Sequence, residues 1–260
     1  MKRLHITLPL SLAALAVWLM LTLGGRWLES GGQAQSLADA AGGSIGWSWA
    51  VAALFAAALV FLADDRRGAG VQAPQPLQSA RLVWLPLLYS LLMLFLAWAG
   101  GMPPRGVVLV VACNTLLVAL SEELMFRALL LQGFLDRLTV WPAVLISSAV
   151  FGIVHAANGF ASGDISGALW QSLAAGLQGV GYAAIRLRTR SIWPMTVVHA
   201  LWDFSLMTSM LAAAADGEGS ILPFAALIAV LPLCLYGLYL LRRMHGQPAL
   251  PVSPRMRSGL

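Results

Sequence analysis

The chain has 260 residues, of which 59% are hydrophobic and only 10% are charged. Soluble proteins carry about 25% charged residues, so this composition excludes an ordinary soluble domain and indicates a multi-pass membrane protein. The formal net charge is +5, but in a membrane protein the positions of the basic residues are more informative than their sum. The composition supports a lipid bilayer as the surroundings and gives no support to a nucleic-acid partner.

Long apolar runs bounded by charge, glycine or proline divide the chain into eight predicted transmembrane helices. Each crossing takes about 20 residues, so eight crossings use roughly 160 and leave no room for a second soluble domain. We therefore expect an all-α fold that forms a single membrane domain over residues 1–260. In chain order the predicted spans are 6–24, 44–63, 82–100, 107–135, 141–157, 168–185, 191–211 and 220–241.

The basic residues predict the orientation of these spans. With both termini in the cytoplasm, the outer segments contain only Arg26 and Arg105, and Arg127 lies inside a span. The positive-inside rule favours this arrangement, and the arginine-, alanine- and leucine-rich composition suggests a bacterial inner membrane. The remaining 13 of the 16 basic residues fall on the cytoplasmic side: Lys2, Arg3, Arg66, Arg67, Arg81, Arg137, Arg186, Arg188, Arg190, Arg242, Arg243, Arg255 and Arg257.

The first predicted span has an alternative interpretation as a removed secretory signal, because Lys2 and Arg3 precede its apolar run. The triplet Ala14-Leu15-Ala16 lies in the middle of that run rather than just beyond it. A retained span is therefore favoured, and removal would leave seven spans in the same orientation.

Ionisable residues lie inside three of the predicted spans. Each costs at least a few kcal/mol in a membrane helix, so such residues persist mainly where they line a cavity or find partners. The fourth span contains S-E-E-L-M-F-R, the fifth ends in F-G-I-V-H and the seventh contains H-A-L-W-D. The candidate site residues are Glu122, Glu123, Arg127, His155, His199 and Asp203.

Helical spacing separates these residues by role, because positions four apart share a face and adjacent positions diverge by about 100°. Glu123 and Arg127 are predicted to form an ion pair. This leaves Glu122 on another face as the candidate acid/base. His199 and Asp203 also share a face, so the carboxylate can orient the imidazole or both can point into one cavity.

The depths of these residues agree with a single site. Counted from the cytoplasmic helix ends at about 1.5 Å per residue, Glu122, His155, His199 and Asp203 lie roughly 10 to 21 Å into the membrane. We expect three helices to bring them together.

The motifs E-E-x-x-x-R, F-x-x-x-H and H-x-x-x-N/D occur in this order on separate membrane helices. In this respect the chain, from about residue 114 to 205, resembles the CPBP family of intramembrane glutamic proteases. That family includes the CAAX prenyl endopeptidases and the bacteriocin-processing and immunity proteins called Abi. The third motif ends here in Asp203, which donates a hydrogen bond only when it is protonated.

The resemblance implies an intramembrane endopeptidase whose motif core is 114–205 and which uses no cofactor or metal. Glu122, assisted by His155, is expected to activate a water, while His199 and Asp203 supply or orient donors for the oxyanion. Glu123 and Arg127 are expected to hold the site in register. The expected substrate is a membrane-associated peptide or protein tail, with maturation of a peptide or of a C-terminal anchor favoured over prenylprotein cleavage.

Three other functions stay open at this point. Glu, His, His and Asp can ligate a divalent cation, although no H-E-x-x-H motif is present. The same residues can serve as the proton relay of a transporter, although no internal repeat is visible. A non-catalytic membrane scaffold or immunity protein can also retain the fold, with His199 and Asp203 joining helices by hydrogen bonds.

Overall fold

The computed structural model describes residues 3–215 and 222–244, and within these ranges the fold is all-helical, with one isolated bridge between Leu4 and Ala63. Lys2, Arg255 and Arg257, on which part of the predicted orientation depends, lie outside the described residues. The helices, numbered in chain order, are α1 Leu8–Glu29, α2 Leu37–Gly43, α3 Trp47–Leu62, α4 Arg66–Ala69, α5 Leu77–Ala99, α6 Arg105–Leu135, α7 Val140–Ser162, α8 Ile165–Thr189, α9 Trp193–Ala215 and α10 Leu222–Leu241.

Several helix starts follow directly from the sequence. A side-chain oxygen placed just before a helix can accept a hydrogen bond from one of its unpaired amides. Thr7, Ser36, Asp65 and Asp164 do so at the starts of α1, α2, α4 and α8.

Each of the eight predicted spans coincides with a helix, but only some of these helices are apolar enough to be recognised as membrane spans. Four qualify by length and composition, namely α1, α5, α6 and α7. The pair α2 and α3, bent by 89°, makes a fifth if it is one span, and Leu227–Leu241 of α10 is a shorter apolar helix. The fold is that of a multi-pass membrane protein, whereas the count of eight stays a prediction.

Helices α8 and α9 fall outside this set because they carry polar residues toward the interior of the protein. Helix α8 packs between α7 and α10, and α9 packs between α5 and α6. Gln178 on α8 and His199 on α9 are buried. A helix that is surrounded by other helices does not need an apolar surface on every side, so its mean hydropathy is a poor measure of its depth in the membrane.

Glycines allow α8 to approach both of its neighbours closely. A Cβ atom at Gly152 of α7 would lie 2.7 Å from the carbonyl oxygen of Ser172 on α8. A Cβ atom at Gly237 of α10 would lie 2.7 Å from the Cα atom of Gly181. Small residues at helix contacts of this kind are typical of membrane bundles, and here they bring α8 against the helix that carries Phe151 and His155.

Helix α6 contains a π-helical segment, Glu123–Leu130, where the sequence predicts uninterrupted α-helix. All eight of its side chains are buried. Helix α1 packs against it, and the Ser11 hydroxyl donates a 3.0 Å hydrogen bond to the carbonyl of Leu129. Segments of π-helix occur frequently at functional sites, and this one begins within the first motif.

The loops around Arg66, Arg137 and Arg190 meet at one end of the bundle, which we call the arginine-rich end. The His5 imidazole lies 3.0 Å from Asp64 and 4.0 Å from Asp136. The amide of Gln75 donates a 2.9 Å hydrogen bond to the carbonyl of Thr189.

The segment 64–81 at this end carries Asp64, Asp65, Arg66, Arg67, Pro74 and Pro76, a composition typical of a solvated loop, but only part of it is solvated. It contains α4 and the start of α5, and Gly68, Ala69 and Gly70 are buried. The buried Arg186 of α8 donates a hydrogen bond to the carbonyl of Gly68. The loop therefore covers Arg186 and supplies an acceptor to it. The two residues of this hydrogen bond are 118 positions apart in the sequence.

Asn114 of α6 fixes the bend between α2 and α3 at the opposite end. Its Oδ1 atom accepts a 2.9 Å hydrogen bond from the amide of Gly46, and its Nδ2 atom donates to the carbonyls of Ala41 at 2.8 Å and Ser44 at 2.7 Å. The side chain is fully buried. One amide thus satisfies three backbone groups that the bend removes from helical hydrogen bonding.

We expect Asn114→Ala to lower the free energy of unfolding by about 1–3 kcal/mol, because it leaves these backbone groups buried without a partner. Thermal unfolding of the purified protein in detergent micelles measures the effect. The control is Leu116→Ala on the exposed side of α6. If both variants unfold at the same temperature, Asn114 does not hold the bend.

Candidate active site

The structure brings the three motifs together from α6, α7 and α9. The Oε2 atom of Glu122 lies 3.9 Å from Nε2 of His155 and 3.6 Å from Nε2 of His199. The Oδ2 atom of Asp203 lies 3.5 Å from the same His199 nitrogen. Four predicted site residues therefore form one cluster, as expected from their depths.

The other two predicted site residues form the ion pair that their spacing predicts. Oε1 of Glu123 lies 3.1 Å from Nη1 of Arg127, and both side chains are buried. The same carboxylate oxygen is 2.9 Å from Nδ1 of His199. This second contact joins α6 to α9 and turns the Nε2 edge of His199 toward Glu122 and Asp203, which helical spacing alone does not reveal.

Two aromatic rings complete the surroundings of Arg127. Its guanidinium lies 4.1 Å from the ring centroid of Phe151 on α7 and 5.3 Å from that of Tyr182 on α8. A cation over an aromatic face is attracted by the ring quadrupole, more strongly where water is excluded. Phe151 is part of the second motif, whereas the sequence gives no signal for Tyr182.

His155 has one ring nitrogen committed to the backbone of its own helix. Its Nδ1 atom lies 2.7 Å from the carbonyl oxygen of Phe151, a distance at which Nδ1–H donates a hydrogen bond. In the neutral ring this leaves the Nε2 lone pair directed toward Glu122.

The distances from Glu122 to the two imidazoles are longer than a direct hydrogen bond. A water that makes hydrogen bonds of about 2.8 Å can bridge Glu122 Oε2 and His155 Nε2 across their 3.9 Å separation. Glu122 Oε2 has no hydrogen-bond partner among residues 3–215 and 222–244. The arrangement is thus suited to holding one water between a carboxylate and an imidazole.

The cluster lies at the base of a cavity of about 290 Å³ that runs away from the arginine-rich end. The cavity extends toward the C-terminal end of α1 and the connection between α7 and α8. A second cavity of about 330 Å³ adjoins it, and both are lined by Arg26 and Trp49. The base includes Glu122, His155, His199 and Asp203, and the walls are largely apolar, including Trp18, Leu23, Val118, Trp202, Leu206 and Met207.

The cation-binding alternative depends on a set of metal ligands. In the part of the chain that the structure describes, no group of three or more His, Cys, Asp or Glu side chains has the geometry to hold a metal ion.

Trp18 and Ser121 are two further residues at the site, and neither belongs to the three motifs. The indole nitrogen of Trp18 donates a 2.7 Å hydrogen bond to Ser121, the residue before Glu122. The Trp18 ring also packs edge-on against Phe126, with centroids 5.4 Å apart. Helix α1 therefore forms one wall of the cavity at the level of Glu122.

Residues 104–205 match the family model described as type II CAAX prenyl endopeptidase Rce1-like. No curated protein and no solved structure matches the chain. The matched range contains all three motifs and confirms the resemblance to the CPBP family, which is a family of membrane proteases. It supports a hydrolase of the CAAX-protease type that acts on a membrane-associated peptide, and it leaves the role of each site residue untested.

We expect Arg127→Met to lower the free energy of unfolding by about 3 kcal/mol, because it leaves the Glu123 carboxylate buried without its cation. The double variant Glu123→Gln/Arg127→Met should lose less than the sum of the two single variants, since it leaves no unpaired charge. Unfolding in detergent micelles, analysed as a double-mutant cycle, measures this coupling.

Arg137→Met is the control for this cycle. It breaks a 3.3 Å contact with Asp136 in which the Arg137 side chain is 65% exposed, and surface pairs contribute little. Strict additivity of the Glu123 and Arg127 substitutions would contradict the assignment of a buried ion pair.

Proposed function

We propose that the protein is an intramembrane endopeptidase of the glutamic type, which cleaves a peptide bond with a water activated by Glu122 and His155. The observation that carries the proposal is the convergence of Glu122, His155 and His199 on one point at the base of an apolar cavity. The match of the surrounding segment to a protease family supports it.

In the first step Glu122 removes a proton from the water, while the Nε2 atom of His155 accepts the water's second hydrogen bond. The water oxygen forms a bond to the peptide carbonyl carbon, and the carbonyl oxygen becomes an oxyanion. The proton on Glu122 then passes to the amide nitrogen, the C–N bond breaks, and a carboxylic acid and an amine leave. General base catalysis of this kind contributes about 10²–10⁴-fold.

The oxyanion is stabilised by the side of the cluster that α9 supplies. His199 is the first donor in its imidazolium form, in which Nδ1–H is bonded to the Glu123 carboxylate and Nε2–H donates to the oxyanion. Protonated Asp203, one helical turn further along, is the second donor. Loss of one such donor commonly costs about 10²–10³-fold in rate. Glu123 and Arg127 are positioning residues, since they act on the substrate only through His199.

The apolar walls favour a membrane-associated peptide or protein tail as the substrate. Apolar side chains gain about 25 cal/mol for each Å² of surface that they bury, and Trp202, Leu206 and Met207 in the wall supply such a surface. Maturation of a peptide or of a C-terminal membrane anchor suits this cavity. The bacterial inner membrane is the proposed location.

The positive-inside rule assigns the arginine-rich end to the cytoplasm. The cavity extends toward the opposite end of the bundle. We therefore place the entrance on the outer side of the membrane.

A test of this orientation uses a cysteine-free background made with Cys113→Ala and Cys234→Ala. In intact cells, a membrane-impermeant maleimide should label Gln33→Cys at the cavity end. Arg67→Cys at the arginine-rich end should be labelled only after the membrane is permeabilised. The opposite pattern would place the entrance in the cytoplasm.

Replacing Glu122 by Gln removes the proposed base and changes the shape of the side chain little. We expect Glu122→Gln to lower the cleavage rate by about 10²–10⁴-fold. The measurement compares the terminal peptides of membrane and secreted proteins, by mass spectrometry, from cells that carry the natural chain or the variant. Termini that disappear in the variant identify the substrates.

The control for this survey is Asp39→Asn, which removes an exposed carboxylate that does not line the cavity. If the termini are unchanged in Glu122→Gln while the variant is folded and expressed, the endopeptidase proposal is wrong. Proton-coupled uptake in reconstituted vesicles would then identify a transporter. Loss of cleavage on addition of a chelator, restored by a divalent cation, would instead identify a metalloprotease.

A further inference from the structure

Arg26 lies in the wall of the cavity, near the C-terminal end of α1. The residue is buried, with only 8% of its surface exposed. The guanidinium lies 5.7 Å from the ring centroid of Trp49, and both residues line the active-site cavity and the adjoining one. The side chain therefore stands at the junction of the two cavities, on the path toward Glu122.

Among the described residues, the Arg26 guanidinium has no hydrogen bond and no ion pair within 4 Å. The nearest acid along the helix is Glu29, and its two oxygens are held by Ser48. The amide of Ser48 donates to Oε1 at 2.6 Å and its hydroxyl donates to Oε2 at 3.1 Å. The Glu29 charge attracts the guanidinium without a direct contact, and the N–H donors that line the cavity are left for the acceptor of a ligand.

The backbone beside Arg26 is fixed in place. A Cβ atom at Gly25 would lie 2.6 Å from the Cβ atom of Ser48, so α1 and α3 are in close contact at this position. Together with the hydrogen bonds between Ser48 and Glu29, this contact joins α1 to α3 beside the cavity. The guanidinium is thus presented by a rigid wall rather than by a loop.

The height of Arg26 above the cluster follows from the contact between α1 and α6. Trp18 marks the level of Glu122, because it is hydrogen-bonded to Ser121 at 2.7 Å. Arg26 is eight residues further along α1, beyond the π-helical segment Met20–Gly24, which is at most about 12 Å at 1.5 Å per residue. An extended peptide covers about 3.3 Å per residue, so this distance corresponds to three or four residues.

We propose that Arg26 is a specificity-determining residue that binds a carboxylate of the substrate three or four residues from the scissile peptide bond. The inference rests on the proposed peptidase function and adds that the substrate has a carboxylate at this position. The substrate segment between the two points lies along a wall that includes Thr22, Leu23 and Val118. A planar guanidinium suits a carboxylate because it can donate two parallel hydrogen bonds.

The carboxylate can come from the C-terminus of the peptide or from an Asp or Glu side chain. Three dansylated pentapeptides of alanine and leucine separate these sources. One ends in a free carboxylate, one ends in an amide, and one ends in an amide but carries a single Asp at its fourth position. Their dissociation constants are measured by fluorescence anisotropy on the full-length Glu122→Gln protein in lipid nanodiscs, where the peptides are not cleaved.

We expect the free acid to bind at least tenfold more tightly than the plain amide. Arg26→Gln should remove this difference without weakening the binding of the amide, and Arg26→Lys should restore part of it. Arg105→Gln, which removes an exposed arginine at the same end of the bundle, should preserve the difference. Tight binding of the Asp-containing amide would assign the carboxylate to a side chain, and weak binding would assign it to the C-terminus.

Equal binding of the acid and both amides to the Glu122→Gln protein would overturn the inference. It would also be overturned if Arg26→Gln weakened acid and amide equally, because that result shows a structural role for Arg26. Failure of the peptidase proposal has a different signature. In that case the natural chain would leave all three peptides intact while the preference for a carboxylate at Arg26 persisted.

Discussion

The buried carboxylate of Glu123 is the interaction on which the rest of the site depends. It is bound on one side by Arg127 and on the other by His199, and a charge at this depth is tolerated only with such partners. Arg127 in turn contacts the aromatic rings of Phe151 and Tyr182. One carboxylate therefore connects four helices, α6 to α9, and fixes the imidazole edge that faces Glu122.

This network also explains why the two most polar long helices are in the interior of the protein. Helices α8 and α9 supply Tyr182 and His199 to the network, and each packs between two other helices. The helices that qualify as membrane spans by composition, such as α1 and α5, carry large exposed apolar side chains such as Leu12 and Phe95. These two helices present apolar surface to the bilayer, while the polar side chains of the site are supplied by α6 to α9.

The sequence predicts the helical class, the positions of the eight apolar segments, the pairing of Glu123 with Arg127 and the grouping of the three motifs. These predictions use distances within one helix or depths along it, and regular helical geometry supplies both. Contacts between helices do not follow from periodicity. The bond between Trp18 and Ser121, the position of Tyr182 and the burial of Arg26 all depend on which helices are neighbours. The number of spans is not settled by hydropathy, because shielding by other helices removes the need for an apolar surface.

The π-helical segment of α6 lies between a part of the helix that faces the cavity and a part that packs against α1 and α7. A π turn holds one residue more than an α turn, and one extra residue rotates everything beyond it by about 100° about the helix axis. The half that begins at Arg105 and the half that ends at Leu135 are therefore out of phase with each other. The half that begins at Arg105 can direct Glu122 into the cavity. The half that ends at Leu135 keeps its own packing against α1 and α7. The extra residue thus sets the rotation of one half of α6 relative to the other about the helix axis.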